Sequence, residues 1–138
     1  MKRTRLRRKS DRQRKLDSLH DLWRDALIAE RGKRCEAAGM GGLRCSPIIQ
    51  AHHIYNKGTW PALRFDLANG VLACKSHHLF WIHKAPANEV HPWLERVCGT
   101  QRLLRLQLRA AATKGAKQRV ESLEAIRIYL QQQAERPG

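Results

Sequence analysis

Acidic residues are scarce in this 138-residue sequence: 12 Asp and Glu stand against 27 Lys and Arg, a formal net charge of +15. This imbalance indicates a polyanionic partner, with nucleic acid the first candidate and an anionic membrane surface the second. Long apolar runs are also lacking. None approaches the ~20 residues that a membrane span needs, and no apolar segment follows the basic N-terminus. We therefore expect a cytoplasmic protein without a membrane segment.

Cysteine is sparse as well, with four residues in the chain. In a reducing compartment such a set is more typical of metal ligands than of disulfides. Hydrophobic residues make up 42% of the sequence, which is ordinary for a globular chain and excludes wholesale disorder. The length favours one folded domain with a basic tail.

The basic residues are concentrated at the N-terminus. Residues 1–15 carry a net charge of +8, and such a block repels itself and is expected to be disordered when free. The interpretation that we prefer is an arm that binds DNA phosphates, and the alternative is a merely solubilising tail. The arm residues that we expect to contact DNA are Arg3, Arg5, Arg7, Arg8 and Lys9.

The remaining chain divides into three parts. Residues 16–33 have apolar side chains at spacings of three and four and predict a helix. Residues 34–86 predict a strand at 48–54, a second at 71–73 and a helix at 76–84. Residues 87–138 predict basic helices that pack on the centre or on a second copy of the chain, so a homodimer through them is one expectation. The predicted fold class is α+β, mostly helical.

Histidine and cysteine cluster in the central part, where five of the seven histidines lie within residues 52–83. Unpaired burial of so many imidazoles would be costly, so metal binding explains them better. Cys74 and His77 have the spacing of a tight C-x2-H turn, and Cys35 and Cys45 would complete a Cys3His set that suits structural Zn²⁺. Cys98 is the alternative fourth thiol.

A second site is predicted from His52, His53, Asn69 and His78. Adjacent strand residues point to opposite faces, so one of the two neighbouring histidines can bind a metal while the other acts as a base. His78 can add a second imidazole, and Asn69 can brace the hairpin or the base through its amide. Such a site, with two protein ligands and open positions, is typical of metal-assisted phosphodiester hydrolysis.

These motifs resemble a known family. The segments Ala-His-His-Ile at 51–54 and Asn-Gly-Val-Leu-Ala-Cys-Lys-Ser-His-His at 69–78 are similar to the HNH endonuclease motif of the ββα-metal superfamily, in its zinc-knuckle subgroup. The flanking segments at 60–66 and 81–86 resemble phage-borne HNH proteins of the NinG/Rap recombination nuclease type. The resemblance implies a ββα-metal core with a structural zinc knuckle and flanking helices, encoded by a bacterial host or a phage.

The resemblance also implies the roles of individual residues. His52 and His78 would bind a catalytic Mg²⁺, Mn²⁺ or other divalent ion, His53 would be the general base, and Asn69 would orient that base. His77 departs from the pattern because the subgroup usually has cysteine there. His83 follows His78 by five residues, whereas many relatives have a histidine four residues on. Because five residues on a regular helix turn by about 500°, we do not expect His83 at the catalytic ion.

Two function classes follow from these observations. The first is a metal-dependent DNA endonuclease acting in recombination or DNA processing. The second is a non-catalytic, zinc-bearing DNA-binding or recombination-accessory module. The histidine pair at 52–53 favours the enzyme, since a structural module does not need a second histidine beside a metal ligand. A weaker third alternative, an RNA-binding zinc protein, would leave these histidines without a role.

Overall fold

The computed structural model describes residues 7–117 and 120–136. Its helices surround a small antiparallel sheet, so the predicted α+β, mostly helical class is confirmed. In the described ranges, no helix is both long and apolar enough to cross a membrane. The main elements are α1 (Asp11–Arg31), β1 (Ile49–His53), β2 (Gly70–Cys74), α2 (Lys75–His77), α3 (Ala87–Cys98), α4 (Thr100–Thr113) and α5 (Val120–Ala134).

Helix α1 begins at Asp11, five residues before the start that the apolar pattern predicted, so residues 11–15 are helical and not part of a disordered arm. The side chain of Ser10 caps the helix by accepting from the backbone N–H of Gln13 at 3.1 Å. Asp11 lies in the first turn, where a negative charge interacts favourably with the helix dipole. These two local interactions explain why the helix extends into the basic segment. The expected contact residues Arg3 and Arg5 lie outside the described residues.

The two strands pair with Ala51 opposite Leu72. Because side chains alternate along a strand, the sheet has a separate core on each face. Ala51 and Leu72 pack with the apolar face of α1. Val71 and Ala73 pack on the other face, in a cluster with the tryptophans at positions 81 and 93. Strand β2 is buried along its whole length, which fixes its register.

Gly70 allows helix α1 to lie directly against the start of β2. A Cβ atom at this position would lie 2.6 Å from the side chains of both Trp23 and Leu27. The carbonyl oxygen of Gly70 accepts hydrogen bonds from Arg31 at 2.9 Å and from Arg102 at 2.8 Å. Arg102 thereby fastens α4 to the turn that precedes β2.

The segment after β2 is not a regular α-helix. The short helix α2 continues as a π-helix over His78–Ile82. The backbone N–H of His83 donates to the carbonyl of His78 at 3.3 Å, which is the i to i+5 spacing of a π turn. The segment ends before Pro86, after which α3 begins. This widened turn determines the arrangement of the histidines described below.

The C-terminal helices pack on the central part and on α1. Leu106 and Ala110 of α4 are buried against Leu63. Leu123 and Leu130 of α5 join the core formed by α1. On α4, Leu104 and Leu108 remain exposed. The predicted packing on the core is therefore observed, and the predicted homodimer remains a prediction.

Candidate metal centres and active site

A Cys3His cluster lies beside the end of β2. One ligand atom from each member, three sulfurs and one imidazole nitrogen, lies within 4.8 Å of all the others. The donor set could hold a metal ion such as zinc. Its members are Cys35, Cys45, Cys74 and His77.

The glycine-rich loop closes the gap between the first two cysteines. Nine residues separate Cys35 from Cys45, more than in an ordinary zinc knuckle. A 3-10 turn over Met40–Gly42 folds this segment back, and Gly41 has a positive φ of 64°. A Cβ at Gly41 would lie 2.5 Å from the Trp81 ring, so the loop packs closely against the π-helix over His78–Ile82. The unusual spacing is therefore accommodated by a folded loop.

His77 has the tautomer that a metal ligand requires. Its Nε2 donates to the carbonyl of Met40 at 3.1 Å, so Nδ1 has the lone pair. Nδ1 lies 3.1 Å from Sγ of Cys74 and 3.6 Å from Sγ of Cys45. Sulfur and nitrogen bound to one tetrahedral zinc are about 3.6 Å apart, given bonds of about 2.3 and 2.0–2.1 Å. The hydrogen bond to a backbone carbonyl is the usual support of a ligating histidine.

The thiols of this cluster differ in acidity. Burial raises the pKa of Cys74, but hydrogen bonds outweigh it and lower the pKa to about 6, and the largest contribution among them comes from the backbone N–H of His77. Burial raises the pKa of Cys35 to about 11. Cys74 therefore becomes a thiolate ligand more readily than Cys35 does. Cys98 packs in the apolar cluster with Trp93, so it is not the fourth thiol of this set.

Three imidazoles converge in a second cluster, and one of them, His78, directly follows His77 of the first cluster. Nε2 of His78 lies 3.1 Å from Nδ1 of His52 and 3.0 Å from Nε2 of His83. Nitrogens bound at right angles to one ion, with bonds of about 2.1 Å, are about 3.0 Å apart. The spacing of the imidazoles therefore fits a shared ion.

His83 belongs to this cluster, contrary to the expectation from helical spacing. That expectation assumed a regular α-helix of 3.6 residues per turn. The π-helix over His78–Ile82 takes up five residues in one turn and returns His83 to the same face as His78. Two histidines five residues apart lie on the same face of a helix only if the helix widens to a π turn. The sequence contains no simple signal of such a turn.

His52 and His78 of this cluster have available lone pairs. Oε1 of Gln50 accepts from Nδ1 of His78 at 2.8 Å, so Nε2 of His78 is the unprotonated nitrogen. Burial lowers the pKa of His52 to about 3, with a further contribution from His78 and His83. Burial likewise lowers the pKa of His78 to about 4. Both rings are therefore neutral at pH 7, as metal ligands must be. Gln50 has a supporting role that the sequence did not suggest.

His53 lies on the opposite face of β1, as the strand alternation predicted. Its ring stacks on Trp23 of α1, with 4.2 Å between ring centroids and an interplanar angle of 11°. Nε2 donates to the carbonyl of Arg64 at 2.8 Å, so Nδ1 has the lone pair. Burial lowers the pKa of His53 to about 4. The ring is held firmly, is neutral at pH 7, and has one nitrogen able to accept a proton.

Asn69 acts on the loop that follows β1 and not directly on His53. It is fully buried and makes three hydrogen bonds, accepting from the N–H of Tyr55 at 2.8 Å and donating to the carbonyls of Tyr55 and Leu63 at 3.0 and 3.1 Å. Leu63 immediately precedes Arg64, whose carbonyl anchors His53. Asn69 thus holds in place the segment that orients the imidazole.

One cleft of about 550 Å³ brings these groups together. His53 and the three-histidine cluster all line it, although His52 and His53 belong to opposite faces of the strand. This is possible because β1 is an edge strand of a two-stranded sheet. Arg24 and Lys57 also line the cleft, whereas none of the described carboxylates does. The cleft is therefore basic and suits an anionic ligand.

Comparisons of the chain with protein-family models, with curated proteins and with solved structures find no match. Its family is thus not shown by similarity. The geometry of the cleft is what bears on function: paired histidines at 52–53, a third and fourth imidazole at 78 and 83, and a basic surround.

The described part of the N-terminal arm is exposed. Arg7 and Arg8 precede the cap of α1 and have no regular secondary structure. Nζ of Lys9 lies 2.9 Å from a carboxylate oxygen of Asp17, an exposed ion pair of small expected stability. These three residues are thus accessible to a polyanion, and their role in DNA binding remains a prediction.

Proposed function

We propose that the protein is a metal-dependent HNH endonuclease that hydrolyses phosphodiester bonds in DNA. In this proposal His53 is the general base, and His52, His78 and His83 bind the catalytic divalent ion. Asn69 is a positioning residue, since it acts on the base through the Leu63–Arg64 backbone. The Cys3His cluster binds a structural zinc ion, because all four of its donors are protein atoms and no position is left for substrate.

The observation that carries the proposal is the shared cleft. A neutral histidine with an unprotonated Nδ1 and a cluster of three converging imidazoles line the same basic concavity. A purely structural zinc module accounts for the cysteine cluster but not for these four histidines. Their arrangement supports hydrolysis over the alternative of a non-catalytic DNA-binding module.

The residues of the chain perform the following steps in this mechanism. Nδ1 of His53 accepts a proton from water while the water oxygen attacks phosphorus and the bond to the leaving 3′ oxygen breaks. The carbonyl of Arg64 stabilises the imidazolium that forms, because it continues to accept from Nε2–H. A divalent ion bound by the three imidazoles would stabilise the charge on the phosphate and the leaving group. The leaving 3′ oxygen takes a proton from solvent water, so the expected products have 5′-phosphate and 3′-hydroxyl ends.

The donor set also bears on which ion is used. Imidazole nitrogens suit transition metals, whereas Mg²⁺ prefers carboxylate and water oxygens. Three imidazoles meet in this cluster, and the described part of the cleft contributes no carboxylate. We therefore expect Ni²⁺ or another transition-metal ion that favours imidazole to support activity better than Mg²⁺ does.

Cleavage assays test the proposal directly. Plasmid, single-stranded and junction DNA are incubated with the zinc-loaded protein and with Mg²⁺, Mn²⁺ or Ni²⁺. The His53→Ala variant should lose activity by about 10²–10⁴-fold, and added metal should not restore it. The matched control is His91→Ala, which removes an exposed histidine on α3 that pairs with Glu95. Equal cleavage by the parent and His53→Ala would exclude His53 as the general base, and no cleavage by the parent with any ion would favour the non-catalytic module.

A further inference from the structure

A second concavity adjoins the cleft and extends it along α1. It has a volume of about 280 Å³ and shares His20 and Lys57 with the cleft. Arg64 and Lys9 line its far part, together with the carboxylates of Asp17 and Asp21. The two concavities therefore form one groove that runs from the three-histidine cluster to the end of the N-terminal arm.

Three side-chain nitrogens along this groove are buried without a hydrogen-bond partner among the described residues. They are Nδ1 of His20, Nε of Arg24 and Nε of Arg64. Buried polar groups in native proteins nearly always have a partner, and an exception points to an ion, water or ligand that binds there. Nε of an arginine can only donate a hydrogen bond, so the partners of Arg24 and Arg64 must supply acceptor atoms. Phosphate oxygens meet this requirement.

The charges of the groove favour an anion over a cation. Asp17 is already paired, since Lys9 and Gln13 each donate to it at 2.9 Å. Among the carboxylates in the groove's described lining, this leaves only Asp21 without such a partner. It is outnumbered by the positive charges of Lys57 and Arg64. Burial lowers the pKa of His20, and the charge of Lys57 lowers it further, as expected where positive charge is in excess.

We propose that this groove binds the backbone phosphates of one DNA strand next to the scissile phosphate. Arg24 and Lys57 contact the phosphate nearest the cleft, and Arg64 contacts one farther along. The strand then continues toward Lys9, the arm residue that lines that end of the groove. The inference rests on the proposed function for its choice of DNA as ligand, and it adds residues for which sequence patterns gave no signal.

The test measures the salt dependence of binding to a labelled DNA duplex by fluorescence anisotropy. It uses the full-length, zinc-loaded protein with His53→Ala as background, so that no substrate is cut. Lys57→Gln and Arg64→Gln are added singly and together. Arg105→Gln is the matched control, since Arg105 is exposed on α4 and lines neither concavity. Thermal melting and zinc content show that each variant is folded.

Each lost phosphate contact should lower the slope of log K against log salt by about 0.9, and the double variant should lose about 1.8. Arg105→Gln should leave the slope unchanged. Slopes that match the control, or a parent protein that does not bind duplex DNA, would overturn the groove assignment.

If the slopes fall but the parent protein cuts no DNA, the hydrolytic function fails and the groove stands. If the parent cuts DNA and the slopes are unchanged, the groove assignment fails and the hydrolytic function stands. Since Lys57 is exposed, its substitution keeps the test valid if Arg64→Gln does not fold.

Discussion

Nε2 of His83 lies 3.0 Å from Nε2 of His78, five residues earlier, because the intervening backbone is a π-helix. A regular α-helix would place these rings on different faces. π turns are rare and occur frequently at functional sites. Here the widened turn completes a three-imidazole cluster that would otherwise have two members.

Replacing His83 by alanine should lower the affinity for the metal ion. The cleavage rate at saturating metal should fall less. Loss of an outer partner of a metal ligand typically costs 10–100-fold in affinity, so loss of an imidazole ligand should shift the Mn²⁺ midpoint of cleavage by at least about 10-fold. A Mn²⁺ titration of the cleavage rate measures this, with His91→Ala as control. An unchanged midpoint would remove His83 from the ligand set.

Replacing Cys74 by serine should abolish zinc retention and unfold or aggregate the protein. Cys74 is fully buried and its pKa is lowered to about 6, and zinc binding is coupled to folding in such sites. Cys98→Ser is the matched control, since Cys98 lies in an apolar cluster outside the Cys3His set. Elemental analysis and circular dichroism provide the readout. Zinc that stays with Cys74→Ser, or is lost from Cys98→Ser, would contradict the assignment.

Asn69→Ala should destabilise the protein by about 2–4 kcal/mol, because a buried donor or acceptor without a partner costs about 1–3 kcal/mol. The substitution leaves the N–H and the carbonyl of Tyr55 without partners, whereas the carbonyl of Leu63 keeps the N–H of Asp66 as a donor. Asn56→Ala is the control, since this exposed amide accepts one hydrogen bond, from Thr59. Urea unfolding measures both. Equal losses for the two variants would show that Asn69 has no special structural role.

Acidification should destabilise the protein, and His53 should contribute to this effect. Burial lowers its pKa to about 4 in the folded state, against about 6.5 in the unfolded chain. Between these values the unfolded state binds more protons, so the free energy of unfolding decreases as pH falls from about 6.5 to about 4. Urea unfolding at several pH values, without added Mg²⁺ or Mn²⁺, should show a shallower dependence for His53→Gln. Parallel curves would contradict the prediction, and acid loss of zinc affects both proteins alike.

Much of the architecture was predictable because it depends on local patterns. The apolar spacing of α1 and the β-branched strands around Ala51 and Val71 specify these elements over short distances along the chain. The start of α1 was misplaced because a single cap, Ser10, and an acid in the first turn outweighed the repulsion within the basic block. The close approach of α1 at Gly70 depends on residues more than 40 positions apart and is visible only in the folded chain.

The sequence by itself determined which donor atoms are available: the thiols and imidazole of the Cys3His set, the histidine pair at 52–53, and the excess of positive charge. The tertiary structure alone decided which of them meet and in what protonation state. His83 joins His52 through a π turn, and carbonyls from distant segments select the tautomers of His77 and His53. The physical reason is that donor chemistry resides in single side chains, whereas convergence and proton position depend on backbone groups that only folding brings within hydrogen-bond distance.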